Sequence, residues 1–329
     1  MKKFKLNRYK EIFLVVLLLI FAVSLISVFG LAEKIIDRIN NVSDSLHYTD
    51  TGKSQFYYGG NKYSLNSNIE SVLVMGIDSI TLPDGKMSDS HQADFIALLI
   101  IDKLDRTFSV LHINRDTMTE ITQLDDSGNK YGSFDAQLAL AHTYGGEGKF
   151  QCRNTVAAVE NLLYNISIDH YISFTMDAIP IINDSVGGVT VTLDEDLTEI
   201  GDEFVKDAKI TLSGDQALAF VRYRNSDATT SNLGRMERQR QYITAFSEQY
   251  TAVPLDSALE TLADVSEYVV SDCTANQLSL LMERLQSYAY AGTLSLKGEA
   301  VKTGEYVEYY VDDLAAQKTV VDLFYEIEE

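Results

Sequence analysis

The chain has 329 residues but no tryptophan, only 3 prolines and only 2 cysteines. Cys152 and Cys273 are too few for a disulfide scaffold or a cysteine-built zinc site. Outside a cell they can bridge or stay as two buried thiols, and the sequence leaves both open. So little proline beside 19 glycines argues against long disordered tracts, so most of the chain should fold. Cations are also scarce: 27 Lys and Arg face 48 Asp and Glu, a formal net charge of −21. That balance excludes general nucleic-acid binding, which depends on Lys and Arg neutralising phosphates. There is no internal repeat, P-loop or dinucleotide-binding glycine fingerprint. The five histidines, His47, His91, His112, His142 and His170, lack ligand spacing and read as structural.

Long hydrophobic runs are missing with one exception. Ile12 to Ala32 is 21 residues without a charge, preceded by Lys2, Lys3, Lys5, Arg8 and Lys10 against Glu11 alone. That length crosses a bilayer as a helix and exceeds the apolar region of a cleaved signal peptide, although Gly30-Leu31-Ala32 would pass as a cleavage site. The sequence therefore predicts a cytoplasmic basic head over 1–11, a transmembrane signal anchor over 12–32, a polar stalk or linker over 33–68 and an extracellular domain over 69–329. The positive flank makes it a single-pass protein of the cell membrane. Without the head's +4, the remainder carries −25. A polyanionic ligand would need a local basic site, and Arg222, Arg224, Arg235, Arg238 and Arg240 supply one within nineteen residues.

Three short apolar runs lie at the centre of the chain. Ser71 to Ile77 runs into Asp78, Asp94 opens Phe95 to Ile101, and Thr107 to Ile113 runs into Asn114-Arg115-Asp116-Thr117. Runs this short and rich in Val and Ile read as buried strands. Ligands of open α/β sheets collect at strand carboxyl ends, so Asp78, Arg115 and Asp116 should share a crevice, joined by Asp94 if its strand is antiparallel. Carboxylates beside a guanidinium suit a divalent cation next to an anionic group; the bland alternative is that Asp78 and Asp94 cap turns. As surface carboxylates, both should be replaceable without loss of the fold.

Helical patterns are expected at Phe134 to Tyr144, Asn154 to Asn165, Asp177 to Ser185, Gly234 to Tyr250, Ser257 to Val265, Asn276 to Ser287 and Asp313 to Ile327, with strands at His170 to Thr175, Gly188 to Leu193 and Glu308 to Val311. Ser213-Gly-Asp-Gln216 is a capping box for a helix leading into Val221-Arg222-Tyr223-Arg224, which, if extended, sends both guanidiniums to one side. Arg235, Arg238 and Gln239 fall on one helical face, either a solvated basic face or part of a site. Helices alternating with strands predict a layered α/β domain behind one N-terminal transmembrane helix.

Met75-Gly-Ile-Asp-Ser79, Ala93-Asp94, Ile113-Asn-Arg-Asp-Thr117, Ala141-His-Thr-Tyr-Gly-Gly146, Ile168-Asp-His-Tyr171, Val186-Gly-Gly-Val189, Leu212 to Arg224 and Gly234-Arg-Met-Glu-Arg-Gln239 occur in this order behind the anchor. In this the chain resembles the LytR-CpsA-Psr family of membrane-anchored cell-envelope enzymes, over about residues 69 to 250. The resemblance implies transfer of a glycopolymer (teichoic acid, capsule or a similar anionic polysaccharide) from a polyprenyl diphosphate carrier to peptidoglycan. It implies a layered α/β sandwich, a central mixed β-sheet flanked by helices, with an apolar tunnel between sheet and helices for the prenyl tail. It also implies Mg²⁺ on Asp78 and Asp94, a diphosphate held by Arg115, Arg222 and Arg224, and support from Arg235, Arg238 and Gln239. Asp116 is the candidate base. The chain departs from the family pattern at Ile80, Gln92, Gln137 and Ala139, where basic or polar residues are common. These departures keep open a non-catalytic binding regulator of polyprenyl-linked sugars and a polyprenyl diphosphate hydrolase.

Overall fold

The three apolar runs become neighbouring strands at the centre of a six-stranded sheet. The structure is a computed structural model that describes residues 55–58, 61–79, 91–224, 231–304 and 306–328. Along the chain come β1 (Gln55–Tyr58), β2 (Asn61–Leu65), β3 (Ile69–Ile77), β4 (Ala93–Asp102), β5 (Thr107–Ile113), β6 (Met118–Leu124) and β7 (Lys130–Gln137). Then follow α1 (Leu140–Thr143), α2 (Lys149–Leu162), β8 (His170–Thr175), α3 (Ala178–Ser185), β9 (Thr190–Thr192), β10 (Lys209–Thr211) and α4 (Gly214–Arg222). The C-terminal part holds α5 (Ser231–Tyr250), α6 (Leu255–Asp264), β11 (Val269–Ser271), α7 (Ala275–Ser287), β12 (Ala289–Leu294), β13 (Gly298–Thr303), β14 (Tyr306–Val311), α8 (Asp313–Phe324) and β15 (Tyr325–Ile327).

The main sheet has the order β11-β8-β3-β4-β5-β12 and is mixed: β3/β8 and β5/β12 are parallel, the other pairs antiparallel. Alternation along each strand sorts its residues onto two faces. Leu73, Met75, Ile96, Leu98, Leu111 and Ile113 enter a core closed by α2 and α8. Val72, Ala97, Leu99, Phe108 and Val110 face the other way, against Leu281 of α7 and Ile243 of α5. The expected layered α/β architecture with a mixed central sheet is therefore present. The anchor over 12–32 lies outside the described residues; among those described, no helix is long and apolar enough to cross a membrane.

Several expected elements differ. Phe134 to Tyr144 is not one helix: Lys130–Gln137 is β7, paired antiparallel with β6, and only Leu140–Thr143 is helical. The apolar residues Phe134, Ala136 and Leu138 recur at a period of two, and cross-strand pairing decides in favour of the strand. Residues 61–65, assigned by polarity to the linker, form β2 and pair with β1 and β15. The last helix ends at Phe324, not Ile327, because Tyr325–Ile327 pairs with β2. Cys152 and Cys273 are both free and buried, so no disulfide joins them, and burial pushes each thiol up to about 11.

His112 on β5 is sealed in the sheet with its ring 5.1 Å from that of Phe95. Burial, then Arg240 and Arg235, lowers its pKa from 6.5 to about 3, so it is neutral in the fold and becomes charged on unfolding below pH 6.5. The unfolded chain then binds the extra proton, and stability falls as pH falls. At pH 5 this costs about 2 kcal/mol. His112→Phe should accordingly lose less stability than the parent between pH 7 and 5 in urea melts; identical slopes would count against the buried neutral ring.

Candidate active site

Sheet register gathers the charged strand ends. Ile77 lies opposite Ala93, and the Asp78 N–H donates to Gln92 O at 2.8 Å. Between β4 and β5, Ile96 faces Ile113, so the antiparallel ladder carried two residues further sets Asp94 against Arg115. The antiparallel condition on Asp94 is thus met, and Asp78, Asp94 and Arg115 occupy one end of the sheet.

Asp94 is only 7% exposed, and three guanidiniums share it. Arg115 takes one carboxylate oxygen, while Arg224 and Arg235 donate to the other at 2.9 and 2.6 Å. Arg222 pairs with Asp78 at 3.0 Å. The capping box starts α4 as expected, Ser213 and Gln216 each bonding the other's backbone N–H, and Tyr223 closes the helix at its other end. That end differs from the expectation: Arg222 is the last helical residue, and Tyr223 turns the chain (φ −50°, ψ 134°) before Arg224. The two guanidiniums converge on the same cleft from a helix end and a turn, not from one extended strand.

Arg235 comes from the first turns of α5, braced by Asn232 three residues earlier, whose Oδ1 accepts from Arg235 at 2.7 Å. Asn232 Nδ2 donates to Asn114 Oδ1 and Asp116 Oδ2, both at 2.8 Å, tying α5 to the end of β5. Asn232 carries no charge and matched no expected motif; its spacing of three from Arg235 is the only signal for it in the sequence.

Burial lowers Arg235 to about 9, with Arg224 the next cause; Arg115 falls to about 10 from burial and is lowered further by Arg235 and Arg224, while Asp116 and Asp78 oppose this. Four guanidiniums, Arg115, Arg222, Arg224 and Arg235, meet three carboxylates, Asp78, Asp94 and Asp116, which leaves the cluster one positive charge in excess. A multivalent anion would relieve the repulsion, and guanidinium forks suit phosphate oxygens. Arg115 and Arg235 are fixed by burial, whereas the Arg222 and Arg224 side chains are 42% and 44% exposed and free to turn toward a ligand.

Not every expected site residue reaches the cleft. Arg238 turns to Glu195 and the Tyr223 carbonyl, and Gln239 donates to the Val221 carbonyl, so both brace the α4–α5 connection. Arg240 pairs with Glu237. Asp116 does line the cleft, is 7% exposed and faces Arg115, Asn232 and Gln137. Gln92 and Gln137 both line the cleft: Gln92 accepts from Arg115 at 2.5 Å, and Gln137 donates to Val307 O at 2.6 Å. Ala139 is buried, its N–H bonded to Arg115 O. Ile80 lies outside the described residues.

The cleft measures about 1030 Å³. An apolar cavity of about 280 Å³ lies between the sheet and α5, with Val74, Phe95, Leu99, Val110, Ile243 and Phe246 in its wall. Asp94, Arg222 and Arg235 border both spaces, so the arginine cluster sits at the cavity's polar end. Elsewhere, His170, Asp272 and Cys273 have ligand-type atoms within 4.8 Å of one another. Gln277 Nε2 lies 2.7 Å from His170 Nε2, Asp272 lies 3.6 Å from Nδ1, and the Gln277 carbonyl is committed to the Thr274 cap of α7. That grouping is a hydrogen-bonded tie between α7 and the sheet edge.

A model of the LytR_cpsA_psr family matches residues 36–323. The chain belongs to this family. Among its relatives, the polyisoprenyl-teichoic acid–peptidoglycan teichoic acid transferase TagU of Bacillus cereus (strain ZK / E33L) is 29% identical over 261 residues, 78% of each chain. TagU of Halalkalibacterium halodurans is 30% identical over 241 residues, 70% of each. The crystal structure of B. subtilis TagV superposes with a TM-score of 0.60 at 25% identity, covering 78% of this chain and 98% of that one. In this LytR_cpsA_psr member the motifs around Asp78, Asp94, Arg115, Arg222 and Arg235 supply the lining of the cleft, whereas the motif at 168–171 opens β8 at the other end of the sheet and that at 186–189 lies between α3 and β9.

Asp94 is a buried counter-charge, contrary to its expected surface role. Asp94→Ala should lower unfolding free energy by roughly 3–5 kcal/mol, because removing one partner leaves uncompensated buried charge. Asp78→Ala, at an exposed pair, should change it by less than about 1 kcal/mol. Millimolar pyrophosphate should raise the melting temperature of Asp94→Ala more than that of the parent. Equal stabilities of the two alanine variants would contradict the hub.

Proposed function

We propose that this chain is a glycopolymer phosphotransferase that moves an anionic wall polysaccharide from a polyprenyl diphosphate carrier to peptidoglycan. The observation that carries the reading is the arginine cluster at the junction of a polar cleft and an apolar cavity. That combination matches an amphiphile with a charged diphosphate and a hydrocarbon tail, and it agrees with the names borne by the TagU relatives. The prenyl tail occupies the cavity between the sheet and α5, and the diphosphate exchanges its hydration for Arg115, Arg222, Arg224 and Arg235. Arg238 and Gln239 act behind them by holding α4 against α5.

The acceptor hydroxyl oxygen attacks the phosphorus next to the glycan. A new P–O bond forms, the bond to the bridging oxygen breaks, polyprenyl phosphate leaves and the hydroxyl proton ends on the departing phosphate. Such a step needs positioning and charge neutralisation more than covalent help. Asp116 keeps Arg115 and Asn232 aligned through it. Asp78 and Asp94 carry the hard oxygens that Mg²⁺ takes beside substrate phosphates, and to hold it they would have to give up guanidinium contacts, Asp78 that of Arg222 and Asp94 one of its three. When bound, the ion neutralises charge developing on the phosphoryl oxygens. On the sequence, residues 12–32 anchor the protein with its catalytic domain outside the membrane, and protease added to wall-stripped cells should remove that domain and spare a small N-terminal fragment.

The test is turnover of a polyprenyl diphosphate sugar in the presence of peptidoglycan. Arg222→Ala and Arg224→Ala should each lose ten- to a hundredfold, since a charged hydrogen bond is worth about 1.5–3 kcal/mol. Arg224→Lys should recover part of the loss, having charge without the fork. Arg240→Ala should stay near the parent, and a loss matching the others would refute the assignment. Release of polyprenyl phosphate without polymer attachment would indicate a hydrolase.

A further inference from the structure

The cleft has two halves of opposite character. One carries the four arginines. The other is built by the β6/β7 and β13/β14 hairpins, whose described lining residues include Asp135, Gln137, Tyr306 and Glu308 and no Lys or Arg. The second hairpin is docked on the site itself: Tyr309 N–H donates to Asp116 O at 2.9 Å, Thr117 bridges to Tyr309, and Gln137 holds the Val307 carbonyl. Tyr306 is nevertheless 70% exposed. Glu308 is oriented through Oε2, which accepts from Thr303 Oγ1 at 3.0 Å and from the Tyr310 hydroxyl at 2.8 Å.

This half repels a diphosphate. Carboxylates accept from hydroxyl and amide donors, Gln137 adds a carboxamide, and an exposed ring covers a flat apolar face; together these are the groups that hold a sugar. The apolar cavity shares Asp94, Arg222 and Arg235 with the cleft but none of the hairpin residues, so the arginines separate the tail's cavity from the hairpin wall. An acceptor on that wall meets the phosphorus away from the departing prenyl phosphate, as displacement at phosphorus requires.

We propose that the hairpin wall is the acceptor subsite and binds a neutral N-acetylhexosamine glycan, with Tyr306 against a sugar face and Asp135 and Glu308 accepting from its hydroxyl or amide groups. This deepens the transferase reading and rests on it. The two can be separated by binding alone, using the full chain in detergent with tetraacetylchitotetraose and inorganic pyrophosphate as independent probes. Tyr306→Ala should weaken chitotetraose binding at least tenfold in NMR titrations and Glu308→Gln severalfold. Tyr131→Ala, an exposed tyrosine of β7 outside the cleft lining, should leave it unchanged. Pyrophosphate affinity of the two hairpin variants should stay within twofold, and the anionic tetragalacturonate should bind at least tenfold more weakly than chitotetraose. No chitotetraose binding by the parent, an unchanged affinity in Tyr306→Ala, or equally tight tetragalacturonate would overturn the subsite. Failure of the parent to bind pyrophosphate would instead defeat the diphosphate reading and leave the sugar result standing.

Discussion

One carboxylate holding three guanidiniums is the constraint on which the site depends. Cations packed this closely repel one another, and Asp94 keeps them together while the cleft waits for an anion. Each arginine reaches Asp94 from a different element: Arg115 from the end of β5, Arg224 from the turn after α4, Arg235 from the start of α5. The antiparallel β3-β4-β5 ladder, the turn at Tyr223 that ends α4, and the Asn232 tie between α5 and β5 therefore all serve one point in space. A chain of net charge −21 repels phosphates over most of its surface, so in the proposed function affinity for the diphosphate comes from this local concentration of cations.

The two faces of the sheet divide the remaining work. The face toward α2 and α8 is a closed core containing Leu73, Met75, Leu98 and Leu111, all inaccessible to solvent. The face toward α5 carries smaller residues at Gly76 and Ala97 and keeps an apolar cavity. A Cβ on Gly76 would lie 3.0 Å from that of Phe95, so at this position the strand admits no larger side chain without movement. One strand pair thus supplies rigidity on one side, room on the other and charge at its end.

Much of this was legible beforehand because the signals are local. Short Val- and Ile-rich runs predicted the central strands, their charged ends predicted the crevice, and Ser213 and Gln216 predicted the start of α4. What was misread depends on partners outside the segment itself. Whether Phe134 to Gln137 is strand or helix is settled by β6, and residues 61–65 become a strand only because β15 lies beside them. The burial of Asp94 follows from Arg115 and from two arginines more than a hundred residues later, and Arg238 and Gln239 turn away from the cleft toward Glu195, Tyr223 and Val221. Asn232, Tyr306 and Glu308 escaped notice for the same reason: an amide, a phenol and one more carboxylate in an acidic chain mean nothing until the fold sets them beside Arg115 and Asp116.

The central claim is that the arginine cluster and the apolar cavity form one site for a prenyl diphosphate. It is tested most directly by a structure of the chain bound to farnesyl diphosphate. The account predicts the diphosphate among Arg115, Arg222, Arg224 and Arg235, with the tail running between the sheet and α5 past Val110 and Ile243. A tail lying elsewhere, or a diphosphate bound away from Asp94 and its arginines, would contradict it.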